Sequence, residues 1–325
     1  MNLELRITKK EIKVGVALSL FAVMVILGVK SILYFEAQYE SSLLMEREIY
    51  RSQVVENNSF DNLSLSAKSF LVWDVKNNKK LGGLNEEMQF PLASLTKLMT
   101  ILVAVELSTS ETMVTIKESD LGYDGDNGLI AGEKWQLSDI IDFVLLTSSN
   151  DGAQALATIS NAFSVDKNDV KTENKLFIEA MNKKAEQLGM TQSFFLNETG
   201  LDINETTSGA YGSTKDMTIL VEDILLNYPN LLGTSSYRQA EIGSDILTHQ
   251  IGNTNPSVEK LPSIIASKTG FTDLAGGNLI VVFDAGINRK IIVSVLGSTK
   301  EERFSDVEQL IWAGLEKVFI ENQKI

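Results

Sequence analysis

The chain has 325 residues, enough for one large domain or two lobes around a sizeable core. Hydrophobic residues make up 44% and charged residues 22%, and the formal net charge of -14 argues against binding nucleic acid, whose phosphates it would repel. Cysteine is absent and His249 is the single histidine, so neither a disulfide framework nor a zinc site of His and Cys ligands is available, and no metal or cofactor is expected.

Residues 1–13 form a basic tail carrying Arg6, Lys9, Lys10 and Lys13. Residues 14–29 are uncharged and mostly apolar, and residues 31–35 extend the run if Lys30 snorkels, so 14–35 reaches the roughly 20 residues of a membrane span. The basic flank predicts a single-pass anchor in the cell membrane, with the N-terminus inside and the body outside. A cleaved signal peptide is the alternative, but the segment is long for one and Phe35-Glu36-Ala37 is a poor cleavage site. Residues 36–62 are polar and acid-rich, a tether. Residues 63–325 read as the folded domain.

Within that domain 69–74 reads as a strand, 77–80 as a turn, and Leu81 begins a second strand. Residues 94–105 are a helix-like apolar run. Ser138 is expected to cap a helix over 139–147, and Asp151 one over 152–163. Residues 174–188 are amphipathic through Leu176, Phe177, Ala180, Met181, Ala185 and Leu188, with Gly189 as the stop. A further helix covers 215–226. Leu247 and Ile251 place His249 on a strand, as a structural residue. Residues 262–267 are strand-like, 278–283 and 290–296 flank a Gly-containing turn, and 303–319 form a closing helix. Strands at both ends with helices between predict an α+β domain in which the first strands and the last share one sheet, with an inserted helical lobe.

The chemistry begins at Ser94 and Lys97. A spacing of three puts both on one helix face, in a segment apolar enough to be buried. Burial lowers the pKa of an amine, which can then take the proton of an otherwise poor hydroxyl nucleophile. The helix N-terminus favours a developing oxyanion. Alone, Ser-x-x-Lys is a weak pattern. Ser148-Ser149-Asn150 follows the apolar run 140–146, and Lys268-Thr269-Gly270 follows 262–267. All three in this order resemble the active-site set of penicillin-binding proteins and β-lactamases.

The resemblance narrows to D-alanyl-D-alanine carboxypeptidases of the low-molecular-mass penicillin-binding type, over residues from about Ser66 to Phe319. It rests on Ala93-Ser94-Leu95-Thr96-Lys97-Leu98-Met99-Thr100, on residues 145–151, and on Asn197-Glu198-Thr199-Gly200-Leu201-Asp202, where the family usually has Pro in place of Glu198. Asn253-Thr254-Asn255 and residues 275–279 also fit. The resemblance implies a serine β-lactamase/transpeptidase-like fold, an antiparallel sheet flanked by helices, with no room after Phe319 for the C-terminal β-domain of many members. It implies a Ser94 acyl-enzyme formed on peptidoglycan stem peptides ending in D-Ala-D-Ala, and inhibition by β-lactams. Lys97 takes the Ser94 proton, and the backbone N–H groups of Ser94 and Phe271 form the oxyanion hole. Ser148 relays a proton to the leaving amine. Asn150 holds Lys97 and the substrate amide, and Lys268 supplies positive potential. Thr269, Gly270 and Arg303 lie on the substrate side, Thr269 and Arg303 facing its terminal carboxylate.

Three rivals are weighed. A class A β-lactamase needs Glu in an E-x-x-L-N pattern; Ser193 stands at that position before Leu196-Asn197, and Glu198 lies on the wrong side. A D,D-endopeptidase shares all three motifs. A non-catalytic cell-wall-binding protein is disfavoured by intact Ser94, Lys97, Ser148, Asn150 and Lys268.

Overall fold

A computed structural model describes residues 9–56, 59–109, 111–123, 125, 128–159, 170–286 and 288–323. The chain divides into two units, residues 1–58 and Ser59–Ile325. In the first, α1 (Lys9–Glu56) is one helix, about 72 Å long at 1.5 Å per residue. Its stretch Leu18–Glu46 is long and apolar enough to cross a membrane. Helix continues through most of the expected tether, because residues 36–56 contain neither Gly nor Pro to stop it.

The second unit begins at Ser59, four residues before the expected boundary, because Phe60 belongs to its core: the Phe60 ring stacks on Phe70 with centroids 6.3 Å apart. In chain order its strands are β1 (Ser69–Asp74), β2 (Lys79–Leu84), β3 (Phe90–Pro91), β4 (Met113–Thr115), β5 (Lys134–Gln136), β6 (Phe194–Phe195), β7 (Ala210–Gly212), β8 (Gln239–Gly243), β9 (Thr248–Gly252), β10 (Ile264–Thr272), β11 (Gly276–Asp284) and β12 (Lys290–Ser298). The main sheet runs β10-β11-β12-β1-β2, all antiparallel. First and last strands therefore share one sheet, with Ser69 opposite Leu296.

Strand alternation explains why this sheet separates two cores. Leu279, Val281 and Phe283 of β11, with Ile291, Val293 and Val295 of β12, pack on Val307, Leu310 and Ile311 of α7 (Arg303–Asn322). Ile280, Val282 and Ile292 face the other way, into the helical lobe. Covering both faces accounts for the unbroken apolar runs of β11 and β12. The lobe contains α2 (Thr96–Glu106), α3 (Leu137–Thr147), α4 (Asn150–Ala157), α5 (Val170–Leu188) and α6 (Thr214–Asn227). Helix α2 is buried from Thr96 to Ala104, as an all-round apolar helix must be.

Two helix starts differ from the sequence reading. Strand β5 runs straight into α3, so Gln136 is the N-cap and Ser138 sits inside the helix, its hydroxyl bonded to Asp139. Ser149, not Asp151, caps α4, because its Oγ accepts from Gly152 N at 3.0 Å. The end expected at 163 lies outside the described residues. On α5, Phe177, Met181 and Ala185 are buried while Leu176 is exposed, and Gly189 ends the helix at φ +74°. His249 is buried on β9, where its Nε2 lies 2.7 Å from Glu133.

Candidate active site

Ser94 sits in the 3₁₀ turn Ala93–Leu95 that feeds directly into α2, and Lys97 follows one turn later. Lys97 is wholly buried, and its Nζ lies 3.0 Å from Ser94 Oγ. The same nitrogen donates to Asn150 Oδ1 at 2.7 Å and to the Thr199 carbonyl at 2.8 Å. A neutral amine has two N–H donors and one lone pair. Both donors meet atoms that only accept, which leaves the lone pair for the serine hydroxyl. Burial pushes the Lys97 pKa down to about 7, with the nearby Glu198 carboxylate opposing.

Ser148 is the C-cap of α3 in the left-handed conformation, φ 61° and ψ 29°. That kink between α3 and α4 turns Ser148 toward β10, where Lys268 Nζ donates to its Oγ at 2.7 Å and to Thr269 O at 2.8 Å. Lys268 is also buried. Its pKa is held well below an ordinary lysine, first by burial and then by the cations Lys97 and Arg303. Two buried amines side by side cannot both be charged cheaply.

The Lys268-Thr269-Gly270 motif lies inside β10 rather than after it. Gly270 is needed there, because a Cβ would meet Leu92 O at 3.0 Å and the Ser94 and Leu95 nitrogens at 3.2 Å. Any side chain would wedge the strand off the serine turn. Asn278 of β11 pins the same turn, donating to Pro91 O and Leu92 O at 3.0 and 3.1 Å. Arg303, at the start of α7, is buried and donates from Nη1 to Gly270 O at 2.7 Å. Thr269 Oγ1 is 2.6 Å from Thr254 Oγ1. The sequence-predicted Arg303, Thr269 and Gly270 thus come together at one end of the site. Phe271 follows on the strand with its ring partly exposed and Lys300 over it.

Sequence reasoning missed the Thr199 carbonyl as a partner of Lys97. It is presented by a loop that Asn197 closes, with Oδ1 accepting from Gly200 N at 2.7 Å and Nδ2 donating to Leu201 O at 2.9 Å. Gly200 has φ +78°, and a Cβ there would lie 1.9 Å from Ala93 O. The loop therefore touches the serine turn only because that residue is Gly. Its segment Asn197-Glu198-Thr199-Gly200 was legible as a motif; that it works through a main-chain carbonyl was not, since a carbonyl has no residue-type signature. Among the described residues no group of three or more His, Cys, Asp or Glu side chains could hold a metal ion.

An antiparallel sheet, an inserted helical lobe and a Ser–Lys pair one helical turn apart are the architecture of the penicillin-recognising serine enzymes. The chain belongs to the peptidase S11 family, D-alanyl-D-alanine carboxypeptidase, which it matches over residues 55–300. It is 27% identical over 256 residues to D-alanyl-D-alanine carboxypeptidase DacF of Bacillus subtilis (strain 168), covering 77% of this chain and 62% of that protein's length. It is 28% identical to a D-alanyl-D-alanine endopeptidase of Pseudomonas aeruginosa, covering 76% of each. Its fold matches penicillin-binding protein D2 from Listeria monocytogenes in the ampicillin-bound form, with a TM-score of 0.65 and 27% identity over 78% of this chain and 99% of that one.

Proposed function

We propose that this protein is a membrane-anchored serine D-alanyl-D-alanine carboxypeptidase, anchored by α1 and acting outside the membrane on stem peptides that end in D-Ala-D-Ala. The observation that carries this reading is the Lys97 amine, buried and 3.0 Å from Ser94 Oγ, with both of its N–H groups engaged elsewhere. Lys97 accepts the Ser94 proton as the oxygen attacks the carbonyl of the penultimate D-alanine. The Ser94 and Phe271 N–H groups stabilise the oxyanion, one such donor being worth about 3–4 kcal/mol. Ser148, bonded to Lys268, passes a proton to the departing D-alanine amine. Water then hydrolyses the Ser94 ester. A β-lactam acylates the same oxygen, and with Ser193 where a class A β-lactamase has glutamate the ester is released slowly.

The test is a fluorescent penicillin on the full chain, with D-alanine release measured in parallel. Wild type is expected to be labelled and to release D-alanine, Ser94→Ala to do neither, and nitrocefin to be consumed once rather than turned over. Labelling that survives Ser94→Ala sinks the assignment. The name of the Pseudomonas relative favours endopeptidase action as the second reading. Loss of cross-linked dimers without release of terminal D-alanine selects it.

Arg303 is proposed to face the terminal carboxylate of the substrate. Burial lowers its pKa to about 10, which still leaves it charged at neutral pH. For Arg303→Ala, kcat/KM is expected to fall about 100-fold with a free-acid peptide and far less with its C-terminal amide. Equal losses with both peptides remove Arg303 from that role.

A further inference from the structure

Helix α2 grips the loop 197–200 at two consecutive carbonyls. Lys97 Nζ donates to Thr199 O at 2.8 Å, and Thr100 Oγ1 donates to Glu198 O at 2.6 Å. Lys97 and Thr100 are three apart, so both project from one face of α2. Both are wholly buried. A threonine inside a helix has a ready acceptor in the carbonyl four residues back. For Thr100 that carbonyl, Thr96 O, is 3.3 Å away, against 2.6 Å for Glu198 O. A hydroxyl has one proton, and the shorter contact takes it. Thr100 therefore serves the loop rather than its own helix.

Among the described residues, these are the two hydrogen bonds that tie α2 to the loop. Its other bonds are internal or reach β7: Thr199 Oγ1 donates to Asn197 Oδ1 at 3.2 Å, Leu201 N to Thr199 Oγ1 at 3.1 Å, and Asn197 N to Gly209 O at 3.0 Å. One of the two ties to α2 is thus the base itself. An ammonium is a strong, charge-assisted donor to a carbonyl, and a neutral amine is a weaker one. A loop held by Lys97 alone would loosen when the amine is neutral, which is when its lone pair must point at Ser94. The Thr100 hydroxyl keeps its proton whatever the charge on Lys97, so its hold does not vary.

We propose that Thr100 is a positioning residue for acylation: by holding the Glu198 carbonyl it keeps the neighbouring Thr199 carbonyl on Lys97 in both protonation states of that amine. The lone pair of the neutral amine then stays on Ser94 Oγ, 3.0 Å away. The role rests on the serine-peptidase reading and adds to it a residue that touches neither substrate nor the reacting atoms. It also has a sign in pH. A carbonyl acceptor favours the charged amine over the neutral one, so loosening Thr199 O lowers the Lys97 pKa from its value of about 7. The charged groups that share the site with Lys97 are Glu198 on the loop and Lys268 on β10, and the substitutions below leave both in place.

The experiment measures the second-order rate of fluorescent penicillin labelling of the full chain from pH 5 to 9, together with Tm. Thr100→Val keeps the branched shape and removes the donor; Thr100→Ser keeps the donor. Thr100→Val is expected to label about 30-fold more slowly on the pH plateau, with its acid limb about half a unit lower than in wild type. Thr100→Ser is expected to label within about threefold of wild type, with an unmoved limb. If Thr100→Val does not fold, Thr100→Cys, whose thiol is a weak donor, makes the same comparison. A slower rate with the limb in its wild-type place reduces Thr100 to packing and overturns the role. So does a Thr100→Val rate within threefold of wild type, or a Thr100→Ser loss as large as that of valine. Wild type that takes no label sinks the serine-peptidase reading itself, whereas wild type that labels with Thr100→Val its equal removes Thr100 alone.

Discussion

Lys97→Met is expected to slow acylation of Ser94 by penicillin about 10³–10⁴-fold while leaving the protein folded. Methionine has similar length and no charge, and α2 is buried around it, so the helix keeps its packing. The change leaves Asn150 Oδ1 and Thr199 O without the donor they now share, a cost of about 1–3 kcal/mol each. Removing a buried amine, itself costly to desolvate, offsets part of that. The variant therefore separates catalysis from stability: Tm moves by a few degrees, whereas the labelling rate collapses. Lys97→Arg is not expected to rescue, because a guanidinium stays protonated and has no lone pair to offer. A time course of fluorescent penicillin labelling reads both variants. Labelling by Lys97→Met within tenfold of wild type excludes Lys97 as the base.

The site was legible where side-chain identity carries the chemistry. Ser94 and Lys97 are three apart on an apolar helix, and that spacing becomes a 3.0 Å contact. The central strands were legible too, because β11 and β12 have both faces buried and so are apolar throughout. What escaped was whatever depends on partners distant in sequence. Glu133 and His249 meet across more than a hundred residues, so the sequence gives His249 a strand but no partner. The two-residue strands β3 and β6 are too short for any periodicity to register. Helix starts lie a residue or two from the expected ones because β5 continues straight into α3, and because Ser149 rather than Asp151 supplies the oxygen that accepts from Gly152 N at the start of α4. Glu198 stood out only as a departure from the family's usual proline, and the folded chain gives that departure a buried place on a cavity wall.

The second large effect is on pH. Penicillin acylation needs Lys97 neutral, and its pKa is lowered to about 7. Below that value the amine holds a proton, its lone pair is gone, and kcat/KM for acylation is expected to fall about tenfold per pH unit. An ordinary exposed lysine, with a pKa near 10.4, would place this rising limb more than three units higher. On the alkaline side the limiting group is Lys268, needed charged beside Ser148 and the substrate. Burial, with the neighbouring Arg303 cation, holds its pKa well below 10.5, so activity declines at lower pH than loss of charge from a surface lysine would dictate. The two limbs respond to different changes. Arg303→Ala removes the cation that disfavours charge on Lys268 there, and is expected to move the alkaline limb upward while leaving the acid limb near 7. The measurement is the second-order labelling rate from pH 5 to 10, with wild type and Arg303→Ala in the same buffers. An acid limb that midpoints above pH 9 contradicts a buried, neutral Lys97 and the proton transfer assigned to it.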